Sequence, residues 1–410
     1  MGRISKRDFL NTPVFTTQNM LLFLLVASVF SFTFYVRHGL SSQLAYINLP
    51  FYFAVMLLML KYRGCVSIVG CFMWAVLAVM FFVIEMAAGT GFSSIMQFFF
   101  LYCAPLLVCQ FVFGDNPRKK LTMARAIITL VNFFTLIVFL ILVVDMFTGS
   151  VVMRFLTTNI LTEMASWVPS EAFERHPSIW GHYLITAGFY LAFYYMNVAY
   201  AKVSGSWIMD VRLVYVIATV GILSTGGKTA ILIYFISIVW LNLAEKNKLR
   251  NAIAITVLLL ALYGIGLFDI VLDRFGAEDL SSGRNEAVEM VLSVELPRLF
   301  WGYGESFSSY MTSFVTSYTV AIFSEYSFLA LAFKFGVVFV VLMVILLLRP
   351  CFAAAFVTRK WSLALMGSLL VLYFSTFNAF SAIPDSYLVC SLFALVTSLL
   401  MGDAEGGAGT

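Results

Sequence analysis

Long apolar runs separated by short polar segments dominate this sequence. A bilayer core about 30 Å thick is crossed by about 20 helical residues, and runs of roughly this length recur about twelve times along the chain. The pattern predicts an all-α polytopic membrane protein in which residues 1–410 form one transmembrane domain. The predicted spans lie near residues 20–36, 44–60, 65–84, 95–113, 124–146, 178–200, 210–224, 229–243, 251–272, 326–348, 361–376 and 383–402.

The composition agrees with a lipid environment. Hydrophobic residues make up 62% of the chain and charged residues only 11%, whereas globular domains have about 45–50% apolar and about 25% charged residues. The net charge of +4 comes without a long Lys/Arg tract, which excludes nucleic acid as a partner. The six cysteines show no CxxC spacing, so neither a zinc site nor a disulfide framework is indicated.

The basic residues are distributed unequally between the two sides of the predicted bundle. If the amino terminus lies in the cytoplasm, about 17 of the 25 Lys and Arg residues fall on the inner side and about 7 on the outer side. Since cytoplasmic loops carry an excess of positive charge, both termini are expected to be cytoplasmic. Two long loops, 147–177 and 273–325, then lie on the outer face, the second between the ninth and tenth spans.

The second outer loop contains an amphipathic pattern from Arg284 to Leu296, which predicts a helix on the membrane surface or against the bundle. Ser282 is a suitable N-cap, and Pro297 ends the run. Arg284 would lie in the first turn, where the helix dipole does not favour a cation. It therefore either has a separate task or pairs with nearby carboxylates.

The next segment of this loop, residues 298–305, combines aromatic side chains with two glycines. Gly302 and Gly304 permit a tight turn. Trp301 and Tyr303 are suited either to anchoring the loop at the membrane interface or to stacking on a sugar ring.

Two further segments supply candidate anion-binding groups on the outer face. The first loop ends with Arg175 and His176, a cation beside a histidine at the membrane surface. The two short spans 210–224 and 229–243 meet at a Gly-Gly break followed by Lys228, at the start of a helix. A helix N-terminus with a lysine is a ready anion site, although a plain hairpin turn fits the same residues. The spacing is not that of a P-loop.

A last pair of charges stands at the tenth predicted span. Glu325 lies at its outer end, and Lys334 follows nine residues later, about 13 Å deeper at 1.5 Å per residue. A charge at that depth is either functional or neutralised by a carboxylate, here expected on a neighbouring helix.

The order of these motifs resembles that of the bacterial superfamily of O-antigen polymerases and O-antigen ligases, which includes capsule and exopolysaccharide polymerases. The similar features are a Ser-x-x-x-Lys-x-Ala turn, a Gly-Arg pair in the large outer loop, a Pro-x-x-x-x-Gly-x-Gly segment, a span-opening motif that ends in Gly, and an Arg-x-Pro stretch. They stand at Ser224–Ala230, Gly283–Arg284, Pro297–Gly304, Ser324–Gly336 and Arg175–Pro177.

The resemblance implies a glycosyltransferase that works without metal or cofactor on the outer face of the bacterial cytoplasmic membrane. Its substrate would be an oligosaccharide on undecaprenyl diphosphate, polymerised into a surface polysaccharide. The expected partners are this lipid-linked oligosaccharide, membrane lipid, a chain-length regulator and a flippase.

This chemistry gives the candidate residues their expected roles. A diphosphate leaving group needs cations and N–H donors where its charge develops, and the acceptor hydroxyl needs a base within hydrogen-bond reach. The expected base is Glu325, or in second place His176, and Arg284 would act in catalysis as well as in binding. Trp301 and Tyr303 are the expected sugar contacts. The expected diphosphate ligands are Arg175, Lys228, Arg284 and Arg298.

Two alternatives stay open on the sequence alone. Ligases of this superfamily typically have a histidine about eleven residues before the motif glycine, where this chain has Glu325. The difference favours a polymerase over a ligase that moves glycan to a lipid or protein acceptor. A secondary transporter also fits twelve spans, but it would have repeated halves and coupling charges at the midplane, of which Lys334 is the one clear example.

Overall fold

The computed structural model describes residues 17–41, 45–114, 116–159, 175–242 and 283–401. Within these ranges the chain is helical apart from loops and one antiparallel pair of short strands, β1 (Cys65–Val66) and β2 (Phe111–Val112). The helices before the first long loop and at its start are α1 (Thr17–Phe30), α2 (Phe34–Leu40), α3 (Leu49–Lys61), α4 (Ile68–Ala87), α5 (Phe92–Tyr102), α6 (Ala104–Val108), α7 (Pro117–Thr148) and α8 (Val151–Asn159).

The remaining helices follow the first long loop and include those of the second one. They are α9 (Tyr183–Ser204), α10 (Val211–Ser224), α11 (Lys228–Asn242), α12 (Arg284–Val294), α13 (Phe307–Met311), α14 (Ser317–Phe323), α15 (Ser327–Phe335), α16 (Val337–Thr358), α17 (Ser362–Ser375), α18 (Ala379–Ala382) and α19 (Pro384–Leu400). A 3-10 turn at Gly304–Ser306 precedes α13.

Three of the described helices, α4, α7 and α16, are long and apolar enough to cross a membrane, and α1 and α2 make a fourth candidate as a pair bent by 87°. Several other apolar helices have only 10–17 residues. The all-helical class is therefore confirmed, together with apolar helices of the kind that a membrane protein needs. The expected count of twelve spans stays a prediction, and the expected ninth span, 251–272, lies outside the described residues.

Helices α9 and α19 form the centre of the bundle. Every residue of α9 from Ile185 to Tyr200 is buried, as is every residue of α19. Helices that are covered all round are stable only inside a ring of others, and α7, α10, α16 and α17 pack against this pair. Asn132 of α7 and Asn197 of α9 exchange amide hydrogen bonds of 2.7 and 3.0 Å, which satisfies two polar groups in the core.

The predicted tenth span, 326–348, is two helices rather than one. α15 ends at Phe335, and Gly336, with a φ of +94°, separates it from α16, which continues to Thr358. A positive φ of this kind favours glycine. The hydrophobic pattern does not show the break, because the sequence is apolar on both sides of Gly336.

Segment 298–303 of the outer loop covers this break. The first two N–H groups of α16 donate hydrogen bonds of 3.0 Å to carbonyl oxygens of the segment, and in return the N–H of Tyr303 donates to the carbonyl of Phe333 at 3.0 Å. Gly302 fits against the backbone of Lys334, where a Cβ atom would come within 2.1 Å of the carbonyl oxygen. The segment thus supplies partners for backbone groups that the interrupted helix leaves unpaired.

The predicted amphipathic helix of the second outer loop is confirmed as α12. Its N-cap position is Gly283, with a φ of +79°, rather than Ser282, which lies outside the described residues. The buried face, with Ala287 and Val291, packs against a small apolar core made by α13, α14 and α15. The helix therefore packs against other parts of the loop and against α15.

The first outer loop is described at its two ends. α7 extends to Thr148, and α8 occupies the start of the predicted loop 147–177. Residues 160–174 lie outside the described ranges, and the chain resumes at Arg175.

Candidate functional site

Arg175 and His176 lie beside the turn that carries Lys228. The His176 N–H donates to the carbonyl of Ser224 at 2.9 Å, and Nε of Arg175 donates to the carbonyl of Thr225 at 2.9 Å. These bonds join the end of the first outer loop to the turn between α10 and α11. Two of the expected diphosphate ligands are thus carried by two segments that are hydrogen-bonded to each other.

The Arg175 guanidinium is also held from a second side. It lies over the ring of Tyr183, 4.1 Å from the ring centroid. Such cation–π contacts hold a guanidinium in place. The arrangement suits recognition of an anion such as a phosphate.

Arg284 and Glu325 form an ion pair in which Nη2 lies 2.5 Å from Oε2. Arg284 is the first residue of α12, and Glu325 stands in the short link between α14 and α15. Nη1 of Arg284 lies 3.5 Å from the carbonyl of Thr376, at the carboxyl end of α17, where the helix dipole favours a cation. The expected base and an expected diphosphate ligand therefore touch.

One donor of Arg284 finds no acceptor in the part of the chain that the structure describes. This donor is the buried Nε. Buried N–H groups without partners are rare in proteins. The Nε donor thus lies next to Nη2, which contacts Glu325, and is available to a ligand once the side chain or its cover moves.

The carboxyl end of α17 lies between Arg175 and the Arg284–Glu325 pair. Tyr373 donates its hydroxyl hydrogen to the carbonyl of Leu184 at 2.6 Å, and the Phe377 ring stacks on the ring of His182 at 6.4 Å between centroids. Leu184 also contacts Gly227 in the turn before Lys228. Residues 373–377 thus have Arg175 and the turn between α10 and α11 on one side and the Arg284–Glu325 pair on the other.

Arg298 and Tyr303 belong to a separate cluster at the other end of α12. The helix places this end about 15 Å from Arg284 at 1.5 Å per residue. Arg298 donates to Glu295 at 3.0 Å and to the Tyr303 hydroxyl at 2.8 Å. Glu295 accepts from the hydroxyls of Tyr303 and Tyr310 as well. Arg298, expected among the diphosphate ligands, is therefore engaged in an ion pair away from Arg284.

Hydrogen bonds explain the electrostatics of this second cluster. The Tyr303 hydroxyl, followed by Arg298, holds the pKa of Glu295 below its ordinary value, since both stabilise the carboxylate. The hydrogen bond between Arg298 and Glu295 also raises the pKa of Arg298. Trp301 stands next to the cluster with 44% of its surface exposed. Of the two expected sugar contacts, Trp301 is therefore exposed, whereas Tyr303 is hydrogen-bonded within the protein.

His176 is buried, with 2% of its side chain exposed. Its Nδ1 accepts the N–H of Ser178 at 3.2 Å, so the ring proton is assigned to Nε2. Nε2 faces the carboxylate of Asp145 at 3.4 Å. Both ring nitrogens thus face protein groups, and the position suits a positioning role better than that of a base.

Asp145 was not singled out from the sequence. It is fully buried near the end of α7 and accepts the N–H groups of Val152 and Met153 at 2.7 and 3.0 Å. Its signal was an acidic residue at the very end of an apolar span, a place where a charge usually has a purpose. The carboxylate links α7 to α8 and faces the ring of His176, the residue next to Arg175.

Lys334 is paired, but its carboxylate comes from the outer loop rather than from a neighbouring helix. Its Nζ lies 2.9 and 2.8 Å from the two oxygens of Glu305. Tyr102 donates to the same carboxylate at 2.7 Å, and Glu85 accepts the Glu305 N–H at 3.0 Å. Glu85 is fully buried. Glu85 lies just beyond a predicted apolar span, and no role was given to it from the sequence.

The described residues include no group of three or more His, Cys, Asp or Glu side chains that could hold a metal ion. Comparison with protein-family models, with curated proteins and with solved structures found no match.

Proposed function

We propose that this protein polymerises undecaprenyl-diphosphate-linked oligosaccharide units by glycosyl transfer on the outer face of the bacterial inner membrane. The contact that carries the proposal is the ion pair between Arg284 and Glu325. It places a phosphate-binding cation beside a carboxylate base, and both side chains are partly exposed, 29% and 36%. Arg175, which is hydrogen-bonded to the turn between α10 and α11, supplies the second cation.

Binding of the donor exchanges partners within this ion pair. A phosphate oxygen accepts hydrogen bonds from Arg284 in place of the Glu325 carboxylate, and the guanidinium matches phosphate in geometry. Nε of Arg284, which has no acceptor among the described residues, adds a donor. The exchange leaves Glu325 free to act as a base only when the donor diphosphate is in place.

The transfer step then follows from these positions. The hydroxyl oxygen of the acceptor sugar forms a bond to the anomeric carbon of the donor, and the bond from that carbon to the diphosphate oxygen breaks. The hydroxyl proton goes to Glu325. The electron pair of the broken bond leaves with undecaprenyl diphosphate, whose charge is stabilised by Arg284 and Arg175. A single displacement of this kind inverts the anomeric centre.

The test is made in a bacterium that depends on this gene for its polysaccharide. Arg284→Ala and Arg175→Ala are expected to abolish long chains and to leave single repeat units, at normal amounts of the protein in the membrane. Arg212→Ala is the matched control, since Arg212 is exposed near the start of α10, about 18 Å along that helix from Ser224. Normal chain lengths in both site variants would refute the proposed diphosphate site.

A ligase is distinguished by what accumulates in a deletion strain. A polymerase defect leaves single repeat units attached to their acceptor, whereas a ligase defect leaves long chains that are not attached. A gel of lipid-linked and acceptor-linked glycans separates the two.

The buried charges around Lys334 favour a second candidate function, a secondary transporter. Glu85 and Lys334, which lie in apolar helices, form a network of ionisable groups with Glu305 of the 3-10 turn, and such groups often serve in coupling. If the chain moved lipid-linked units across the membrane, the deletion strain would hold them on the cytoplasmic side. A polymerase defect leaves them on the outer side, where a membrane-impermeant oxidant of sugars modifies them.

A further inference from the structure

A basic cleft lies at the end of the bundle opposite the Arg284–Glu325 pair. The cavity has a volume of about 490 Å³, and the polar residues Gln18 and Thr122 belong to its lining. Four exposed cations line it as well: Lys61, Arg63, Arg118 and Lys119. None of these residues has a part in the proposed glycosyl transfer.

The two-stranded sheet brings these cations together. Lys61 and Arg63 stand just before β1, which pairs antiparallel with β2. Gly114, after β2, packs on the loop before β1, where a Cβ atom would lie 2.9 Å from the carbonyl oxygen of Arg63. The chain then enters α7, whose second residue is Arg118. The backbone thus holds cations from the end of α3, from the loop before β1 and from the first turn of α7 around one cavity.

The positive charges of the cleft repel one another. Lys61, Arg63 and Arg118 form no ion pair with any carboxylate in the part of the chain that the structure describes; Asp115 lies outside that part. A concave site lined by charges of one sign raises the local potential and attracts ions of the other sign. The cleft is therefore suited to a ligand with a phosphate group.

The position of the cleft favours a lipid as the source of that phosphate. Arg118 and Asp145 are 27 residues apart on α7, about 40 Å at 1.5 Å per residue, and Asp145 lies against His176 in the candidate site. A bilayer with its headgroups is about 40–45 Å thick. If the candidate site lies at one headgroup layer, the cleft lies at the other.

Exposed apolar residues continue from the cleft along the helices that form it. Met20 on α1 and Leu60 on α3 are 62% and 71% exposed, and they stand two and one residues from Gln18 and Lys61. A free phosphate ion would make no use of this surface, whereas acyl chains cover it. We propose that the cleft binds the phosphate of an anionic phospholipid whose acyl chains lie along α1 and α3.

Native mass spectrometry of the purified full-length protein in neutral detergent measures this binding directly. The probes are phosphatidylglycerol and phosphatidylcholine with identical acyl chains. The test variant is Lys61→Gln/Arg118→Gln, and its matched control is Arg359→Gln/Lys360→Gln, which removes two exposed cations outside the cleft. Lys61→Arg/Arg118→Lys retains both charges and checks that the loss of charge, and not a change of fold, weakens binding.

Phosphatidylglycerol is expected to bind more tightly than phosphatidylcholine and to lose about 30-fold in affinity in the Gln variant, because each cation near an anionic headgroup contributes about 1 kcal/mol. The charge-retaining variant and the control should stay within about threefold of the unmodified protein. Equal affinity for the two lipids, or unchanged affinity in the Gln variant, would overturn the proposal. Displacement of the lipid by millimolar inorganic phosphate would overturn the lipid as the source of the phosphate.

Discussion

Arg284 and Glu325 stand at opposite ends of the described part of the second outer loop, yet Nη2 and Oε2 are 2.5 Å apart. A second bond of 3.0 Å, from the Tyr326 hydroxyl to the side-chain oxygen of Asn285, joins the same two places. The start of α12 is thus fixed beside the link between α14 and α15. If Glu325 is the base of the proposed transfer, the ion pair keeps it bound to Arg284 until the cation takes up its phosphate ligand.

Replacement of Glu325 by Gln tests the role of the base. The amide keeps an oxygen for Arg284 but accepts no proton, so the rate of polymerisation of purified lipid-linked units is expected to fall by about 10²–10⁴-fold, with little change in the KM for the donor. Glu289→Gln is the matched control, because Glu289 is an exposed carboxylate on α12 outside the proposed site. A rate within twofold of normal in the Glu325 variant would remove Glu325 from the mechanism.

Asp145 is expected to act on the donor through His176 and Arg175. Asp145→Asn weakens the contact to Nε2 of His176 and loosens the segment that carries Arg175. The expected result is a KM for the lipid-linked donor about tenfold higher, with kcat within about threefold. Steady-state kinetics measures both.

The control for this variant is Asp210→Asn. Asp210 caps the start of α10 by accepting the N–H of Arg212 at 2.8 Å, and Asn is an equally good N-cap, so neither constant should change. A fall in kcat at unchanged KM in the Asp145 variant would show that Asp145 does not act by positioning the donor site.

Variants of Lys334 and Glu305 are expected to show, through the free energy of unfolding, that the two charges stabilise each other. Lys334→Met leaves the Glu305 carboxylate without its cation beside the buried Glu85, at an expected cost of about 2–3 kcal/mol. Lys334→Met/Glu305→Gln removes both charges and should recover a large part of that loss. Thermal unfolding in detergent compares Lys334→Met, Glu305→Gln and the double variant. If the double variant loses as much stability as the two single variants together, the pair is not coupled.

Gly302→Ala tests the contact between the outer loop and the broken helix. A Cβ atom at this position would lie 2.1 Å from the Lys334 carbonyl oxygen, so the loop must move, at an expected cost of about 1–3 kcal/mol. The apparent Tm of the purified protein should fall accordingly. Gly91→Ala is the control, because a Cβ atom at Gly91 meets nothing within 4 Å and its φ of −66° suits any residue. Equal Tm values for the two variants would contradict the close contact between Gly302 and the backbone of Lys334.

The hydrophobic pattern predicted the helices well because it is a local property. The period of apolar residues and the final proline suffice to place an amphipathic helix where α12 is found, and the apolar runs suffice for the helical class. The short length of the segments around Lys228 was also apparent, since α10 and α11 have 14 and 15 residues. The break at Gly336 was not visible, because it interrupts the backbone and not the pattern.

The chemistry of the site depended on contacts between distant parts of the chain. From the sequence, Arg284, Glu325 and Arg175 were single charged residues with suitable neighbours, whereas the pairing of Arg284 with Glu325 and the support of His176 by Asp145 come from the packing of helices. The sequence by itself determined the apolar runs and the helical class, because each residue's own transfer free energy decides whether a run is apolar and a helix pairs the backbone groups of such a run within lipid. Only the tertiary structure decided which charges meet, because a buried or half-buried charge takes the partner that packing brings within reach.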